Sequence, residues 1–265
     1  MQIPYEVEAR PDTGLYNAKL GIWLFLASEV MLFGGLFSAY IFLRIGAEPG
    51  LWPHQILELG PAFANTMVLI ISSVTMVMGW ASAKLGEYKK FKIFTGITVL
   101  CALAFVGIKS YEYHGDFNRY GVILADKTQV TGELVKDKTN DRQITLIPDA
   151  KQSTELGREY LKKQGEGAEK SGEEQELAFD RKDVVWFSNF VPSYSTFFSV
   201  YFTMTGLHAL HVIGGAVVIF YLWGPGSRMY FTDRKHFVNR LEVAGLFWHF
   251  VELVWIFLFP VLYLL

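Results

Sequence analysis

A few polar side chains interrupt the long apolar stretches of this sequence, and they are the residues best placed to do chemistry. An ionisable group inside such a stretch is costly in a membrane and usually marks a functional site. His208 precedes His211 by three residues, and His249 precedes Glu252 by three, so each pair shares one helix face. The candidates are Glu29, Glu112, His208, His211, His249 and Glu252.

Two chemical interpretations suit this set. In the first, the two spaced pairs and Glu29 enclose a metal ion, because imidazole and carboxylate groups suit iron, zinc or manganese. In the second, the same groups form hydrogen bonds between helices without a metal, because an unpaired polar group costs several kcal/mol in hydrocarbon. Two short motifs are weak evidence for a metal, so the second interpretation is favoured and the first stays open.

Glu29 stands roughly ten residues inside an apolar run. At about 1.5 Å of rise per residue, its carboxyl group lies about 15 Å deep, near the middle of a bilayer. It is either a protonated acid that donates a hydrogen bond to a neighbouring helix or a carboxylate that relays protons. The spacing of the residues does not decide between these roles.

Five apolar runs are long enough to cross a membrane, and they must position these groups. They are residues 20–43, 63–83, 92–112, 194–223 and 243–265. With 51% hydrophobic residues, the chain is predicted to be an all-α membrane protein, a bundle of five transmembrane helices. The single cysteine excludes a disulfide framework, and the net charge of −2 gives no reason to expect nucleic acid.

The segment between the third and fourth spans has a different composition, and we expect a soluble mixed α/β insertion over residues 114–185. The remaining domain boundaries are then 1–113 and 186–265. Within the insertion, β-branched and aromatic residues predict short strands. The predicted elements are strands over Tyr120–Leu124, Gln129–Val135 and Gln143–Ile147, and a helix over Ser153–Lys163.

Basic residues in the short loops predict the orientation of the chain. Lys84, Lys89 and Lys90 lie in or beside the second loop, whereas the first loop holds only Arg44. Positive charge favours the cytoplasmic side of a membrane. We therefore expect a cytoplasmic N-terminus, with the 114–185 insertion and the C-terminus outside.

At these same residues the sequence resembles subunit III of the haem–copper cytochrome c oxidases, in its bacterial five-helix form. The matching stretches follow the order of the family and touch every span. They are Trp23–Val30, Trp52-Pro53, Asn65-Thr66, Ser110–Tyr113, Ser195–Phe198, Thr205–Gly214 and Phe247–Trp255.

The resemblance implies a non-catalytic, metal-free subunit of a complex that reduces oxygen to water and translocates protons across the bacterial cytoplasmic membrane. The haems and copper would lie in partner subunits, with subunit I as the main contact, and this chain would support proton uptake and hold phospholipid. Glu29, Glu112 and Glu252 fall on matched positions as buried functional carboxylates. The packing or hydrogen-bonding positions are His208, His211, Trp248 and His249, and Arg228 is a candidate for a lipid headgroup.

Three departures from the family pattern qualify this expectation. Glu252 replaces the more usual aspartate, two N-terminal helices of the family are missing, and the 114–185 insertion has no counterpart. We expect the catalytic subunit to supply helices in place of the missing pair. The insertion is predicted to dock a neighbouring subunit or respiratory complex, or else cytochrome c. The alternative functions are subunit III of a quinol oxidase and a standalone His/Glu membrane metalloprotein.

Overall fold

The structure is a computed structural model, and it describes most of the chain outside the N-terminal segment and several loops. The described residues are 13–47, 57, 59–124, 128–135, 139, 143–149, 153, 155–165, 176–189 and 196–264. The matched stretch Trp52-Pro53, and Ser195 in another, therefore lie outside the described residues.

Five long helices account for most of the described residues. They are α1 (Thr13–Gly46), α2 (Leu59–Leu85), α3 (Tyr88–Asn118), α5 (Thr196–Trp223) and α7 (Arg234–Phe259). In the described part of the chain, five helical spans are long and apolar enough to cross a membrane, and these helices form them. The prediction of five membrane-spanning helices with a strand-containing insertion is confirmed.

The helices extend beyond the predicted apolar runs. α3 continues to Asn118, and α7 begins at Arg234, nine residues before the predicted start at 243. The loop expected over 224–242 is therefore largely helical, with a 3₁₀ turn at Pro225–Arg228 and a short helix α6 (Met229–Thr232) before α7. Hydropathy detects only the part of a helix that meets hydrocarbon, because its ends carry charge into the headgroup region.

Asp233 caps the N-terminus of α7. Its Oδ1 accepts the backbone N–H of His236 at 3.1 Å, which is the usual bond of an aspartate before the first helical turn. This backbone hydrogen bond, reinforced by the His236 side chain, lowers the pKa of Asp233. At the other end, α7 stops at Phe259 and a π turn follows over Pro260–Leu264, as a proline without an N–H donor predicts.

The chain divides into two compact units. Unit 1 comprises residues 1–34, 68–104 and 210–254, and unit 2 comprises residues 35–67, 105–209 and 255–265. Each of the five long helices contributes residues to both units. The polar contacts described below lie within one unit or the other.

The insertion, in unit 2, forms a five-stranded antiparallel sheet with the strand order β4-β3-β2-β1-β5. The strands are β1 (Arg119–Leu124), β2 (Gln129–Leu134), β3 (Gln143–Pro148), β4 (Leu177–Asp180) and β5 (Val184–Asn189). Helix α4 (Glu155–Gly165) packs against the sheet. The predicted boundaries 114 and 185 fall inside α3 and β5.

The sheet has its own hydrophobic core, in which Val122, Val130 and Ile144 are fully buried. Tyr160 of α4 stacks on Phe179 of β4 at 6.2 Å between ring centroids. The helix therefore covers the face of the sheet that holds this core. The three predicted strands and the predicted helix are confirmed to within two residues. β4 and β5 were not predicted, because four and six residues of strand pattern beside a charged turn give a weak signal.

Candidate functional site

Glu29 of α1 and His211 of α5 form a polar pair in unit 1. Glu29 Oε2 lies 3.0 Å from His211 Nε2, and the two side chains are only 13% and 12% exposed. The imidazole also packs edge-on against Phe33 at 5.6 Å between centroids. Glu29 thus has the partner on a neighbouring helix that a buried acid requires.

His249 joins α7 to α2 in the same unit. Its Nδ1 lies 3.0 Å from Ser73 Oγ and 3.5 Å from Glu252 Oε2 one turn along α7. His249 is 35% exposed and Glu252 only 8%. The i, i+3 spacing that predicted a shared face therefore brings these two groups into contact, with Ser73 as a third member that the sequence did not single out.

Two tryptophans of α7 donate their indole N–H groups to hydroxyls of α2. In unit 1, Trp248 Nε1 donates to Ser72 Oγ at 3.1 Å. In unit 2, Trp255 Nε1 donates to Thr66 Oγ1 at 3.0 Å. Both indoles are almost completely buried, so each large ring fills space and also satisfies its polar edge. Trp248 therefore both packs between the helices and donates a hydrogen bond.

Glu112 lies at the centre of a buried cluster in unit 2. Its Oε1 accepts Lys109 Nζ at 2.9 Å, Tyr201 Oη at 2.8 Å and Tyr263 Oη at 2.5 Å. Lys109 and Glu112 are 2% and 6% exposed. The donors come from α3, from α5 and from the π turn after α7, so one carboxyl oxygen ties three segments together.

Aromatic rings surround the ammonium group of Lys109. The rings of Tyr113, Tyr201, Tyr263 and Trp255 have centroids between 5.1 and 5.6 Å from Nζ. Ring faces attract a cation most strongly where water is excluded. The charge that hydrocarbon would expel is therefore held by an anion, by phenolic hydroxyls and by π-systems.

His208 and His211 are three residues apart, but their rings contact different side chains. In unit 2, the His208 ring packs against Trp255 at 5.1 Å and Phe105 at 5.6 Å between centroids. In unit 1, His211 pairs with Glu29. Within the described residues, no three His, Cys, Asp or Glu side chains lie close enough together to hold a metal ion. This geometry favours the hydrogen-bonding interpretation.

Sequence reasoning missed Lys109, Tyr201 and Tyr263. Lys109 is an ionisable residue near the end of the third apolar run, three residues before Glu112, and that spacing was the available signal. The two tyrosines gave no signal, because aromatic residues are common at membrane boundaries. Their role depends on which helices are neighbours.

The polar contacts described above are of two kinds. Some suit proton exchange, and others hold a side chain in place. Glu29 lies beside the imidazole of His211, and Glu252 lies beside that of His249; both kinds of group can bind and release a proton. A carboxylate that accepts three donors on one oxygen is instead held in place.

Comparison with known proteins agrees with this architecture. A family model for cytochrome c oxidase subunit III matches residues 12–120 and 181–265. Cytochrome c oxidase subunit 3 of Alkalihalophilus pseudofirmus is 27% identical over 251 residues, which cover 94% of this chain and 87% of that protein. The same subunit of Bacillus sp. PS3 is 25% identical over 249 residues, with 94% and 86% covered. Subunit 3 of the cytochrome bo(3) ubiquinol oxidase of Pseudomonas aeruginosa is 25% identical over 253 residues, with 94% and 85% covered.

The chain belongs to the cytochrome c oxidase subunit III family. It is a multi-pass membrane protein and a member of an oxidase complex, associated with other oxidase subunits. The stretch that the family model leaves unmatched, 121–180, holds most of the sheet and all of α4. The resemblance derived from the sequence motifs is confirmed.

The Glu112 cluster yields the first prediction. Replacing Tyr263 by phenylalanine removes a hydrogen bond to a charged acceptor, and this should destabilise the chain by about 1.5–3 kcal/mol. Thermal unfolding of the purified complex measures the loss. The matched control is Tyr111→Phe, because Tyr111 is 74% exposed on the same helix as Glu112. Equal melting temperatures for the two variants would contradict an anchoring role for Tyr263.

Proposed function

We propose that this chain is the non-catalytic subunit III of a cytochrome c oxidase and carries no redox centre of its own. The observation that carries the proposal is the family match through all five spans, together with buried polar groups that bind one another. Oxygen reduction and the haem and copper chemistry are assigned to partner subunits. This chain would support proton uptake and the stability of the complex.

Cytochrome c is proposed as the electron donor of the complex. Relatives named cytochrome c oxidase subunit 3 support this choice, although the family also includes subunits of ubiquinol oxidases. A standalone His/Glu metalloprotein is the weaker alternative, because His208 and His211 engage different partners.

Purification of the chain in mild detergent tests the assignment. We expect it to co-purify with subunits that contain haem and copper, and the complex to oxidise reduced cytochrome c. The isolated chain should bind no stoichiometric iron, zinc or manganese. Recovery of the chain alone with a bound transition metal would favour the metalloprotein. A complex that oxidises quinol but not cytochrome c would identify the other oxidase class.

Glu29 is proposed to support proton delivery to the complex. Its support is the pairing with His211, since a carboxyl–imidazole pair in a largely buried site passes a proton with little rearrangement. Glu252 also lies beside an imidazole, that of His249. Glu29 is preferred for this role because it lies on α1, where Leu24 and Met31 are 65% and 75% exposed. A helix with so much exposed apolar surface suits a contact with lipid or a partner subunit.

The second prediction concerns Glu29→Gln. The amide keeps the shape of the side chain and a hydrogen-bond donor toward His211, so assembly should survive. Proton pumping per electron should fall, or the enzyme should inactivate sooner during turnover. The matched control is Glu87→Gln, which removes an acid from a surface pair with Lys90. Unchanged pumping and an unchanged working lifetime would leave Glu29 with a structural role only.

The chain is proposed to lie in a bacterial cytoplasmic membrane with its N-terminus in the cytoplasm. The support is the group of basic residues at Lys84, Lys89 and Lys90, with Arg234 and Arg240 near the start of α7. The insertion and the C-terminus would then lie outside.

Bound phospholipid is a further part of the proposal. A cavity of about 490 Å³ in unit 1 is lined by residues of α1, α5 and α7, among them Ile22, Gly214 and Phe247. Its lining is apolar apart from groups such as Arg240, a combination that suits an acyl chain and an anionic headgroup. Arg228, the candidate from the sequence, ends the 3₁₀ turn and does not line this cavity, so Arg240 joins it as a headgroup candidate.

Subunit I is proposed as the main contact, with its own helices beside α1 in place of the missing pair. The exposed apolar surface of α1 supports this arrangement: besides Leu24 and Met31, Phe42 is 74% exposed. A long hydrophobic helix that buries little of its surface within its own chain is typical of a subunit boundary or a lipid contact.

The sheet with α4 is proposed as a docking lobe for a neighbouring subunit or respiratory complex. The sheet has a buried core of its own, yet Val185 and Trp186 of β5 are 68% and 48% exposed. Aromatic and aliphatic side chains at a sheet edge suit a packed contact more than an electrostatic one. The alternative role of this lobe is electrostatic attraction of cytochrome c toward the oxidase.

The docking role predicts the effect of replacing residues 121–180 by a short Gly/Ser linker. The membrane helices and basal oxidase activity should remain, while a neighbouring subunit or complex is lost on native gels. Trp186→Ser in the full-length chain should weaken the same contact without removing the lobe. If the variant that lacks residues 121–180 retained every subunit but showed a salt-dependent rise in the apparent KM for soluble cytochrome c, the result would instead support electrostatic attraction of cytochrome c by the lobe.

A further inference from the structure

The three carboxyl groups singled out in the sequence, Glu29, Glu112 and Glu252, have different partners. Glu29 and Glu252 each lie beside an imidazole, whereas Glu112 lies beside the ammonium group of Lys109. An ordinary imidazole gains and loses a proton near neutral pH, whereas an ordinary lysine side chain remains an ammonium ion there. The partner of Glu112 therefore differs in kind from the partners of the other two acids.

The hydrogen bonds around Glu112 suit a carboxylate. Lys109, Tyr201 and Tyr263 all direct donors at Oε1. A proton on Oε1 would displace one of these donors, and Oε2 has no hydrogen-bond partner among the described residues. Neutralising the acid would also leave the Lys109 ammonium as a buried charge without a counter-ion, which is far more costly than the intact pair.

The other titratable groups of the cluster do not replace this pairing. Tyr113 of α3 gives its hydroxyl to a contact with Thr205 of α5 at 2.6 Å. Asp116 of α3 lies 3.9 Å from the Arg119 guanidinium, which supplies it with a positive charge of its own. Lys109 is thus the cation that directly balances Glu112.

We propose that Lys109 is a positioning residue that holds Glu112 as a fixed carboxylate, so that Glu112 anchors Tyr201 and Tyr263 and takes no part in proton exchange. This refines the proposed function by confining exchange to the acids that lie beside histidines. The sequence alone grouped Glu112 with Glu29 and Glu252 as buried functional carboxylates. Its ammonium partner, Lys109, distinguishes Glu112 from the other two acids.

Infrared spectroscopy of the intact complex tests the proposal, because a protonated carboxylic acid has its own carbonyl band. In the native complex, Glu112→Gln should remove no such band. In Lys109→Met, the acid loses its counter-charge, so a new band should appear. The band should be absent from the double variant Lys109→Met/Glu112→Gln and from Lys109→Arg, which restores the cation.

Two results would overturn the proposal. One is loss of a protonated-acid band when Glu112→Gln is made in the native background, a measurement that does not depend on whether Lys109→Met assembles. The other is an assembled Lys109→Met complex whose spectrum lacks a new band. Neither result depends on proton pumping, so failure here is separable from failure of the role proposed for Glu29.

Discussion

Hydrocarbon offers no water to a polar side chain, and this constraint governs how the buried residues of the chain are arranged. The Lys109–Glu112 pair is its most demanding case, because two full charges are 2% and 6% exposed. They are tolerated because they lie 2.9 Å apart and because Tyr201 and Tyr263 complete the coordination of the carboxylate. Charge neutralisation therefore also decides which helix segments meet.

The same constraint acts more mildly between α2 and α7. Trp248 and Trp255 donate to the hydroxyls of Ser72 and Thr66, and the imidazole of His249 lies beside Ser73. Apolar faces pack against lipid about as well as against each other, so directional bonds of this kind help to select one helix partner and one register. Bulky rings with one polar edge therefore fill space between the helices and also help to select the helix partner.

The sheet and α4 follow a different rule, because water surrounds a lobe of this kind. Val122, Val130 and Ile144 form a core by leaving water. One chain thus combines two folding regimes: polar pairing orders the membrane helices, and apolar burial orders the insertion. This contrast fits the family match, which covers the spans and omits most of the lobe.

The sequence by itself determined the five spans, the class of the insertion, three of its strands and the family, because hydropathy and motif order are local properties. It also indicated that Glu29, His211, His249 and Glu252 are functional or packing groups. Only the tertiary structure decided their partners, since Glu29 and His211 are 182 residues apart and Tyr263 is 151 residues from Glu112. Spacing along one helix predicts a shared face, but it cannot predict which other helix supplies the balancing charge or donor.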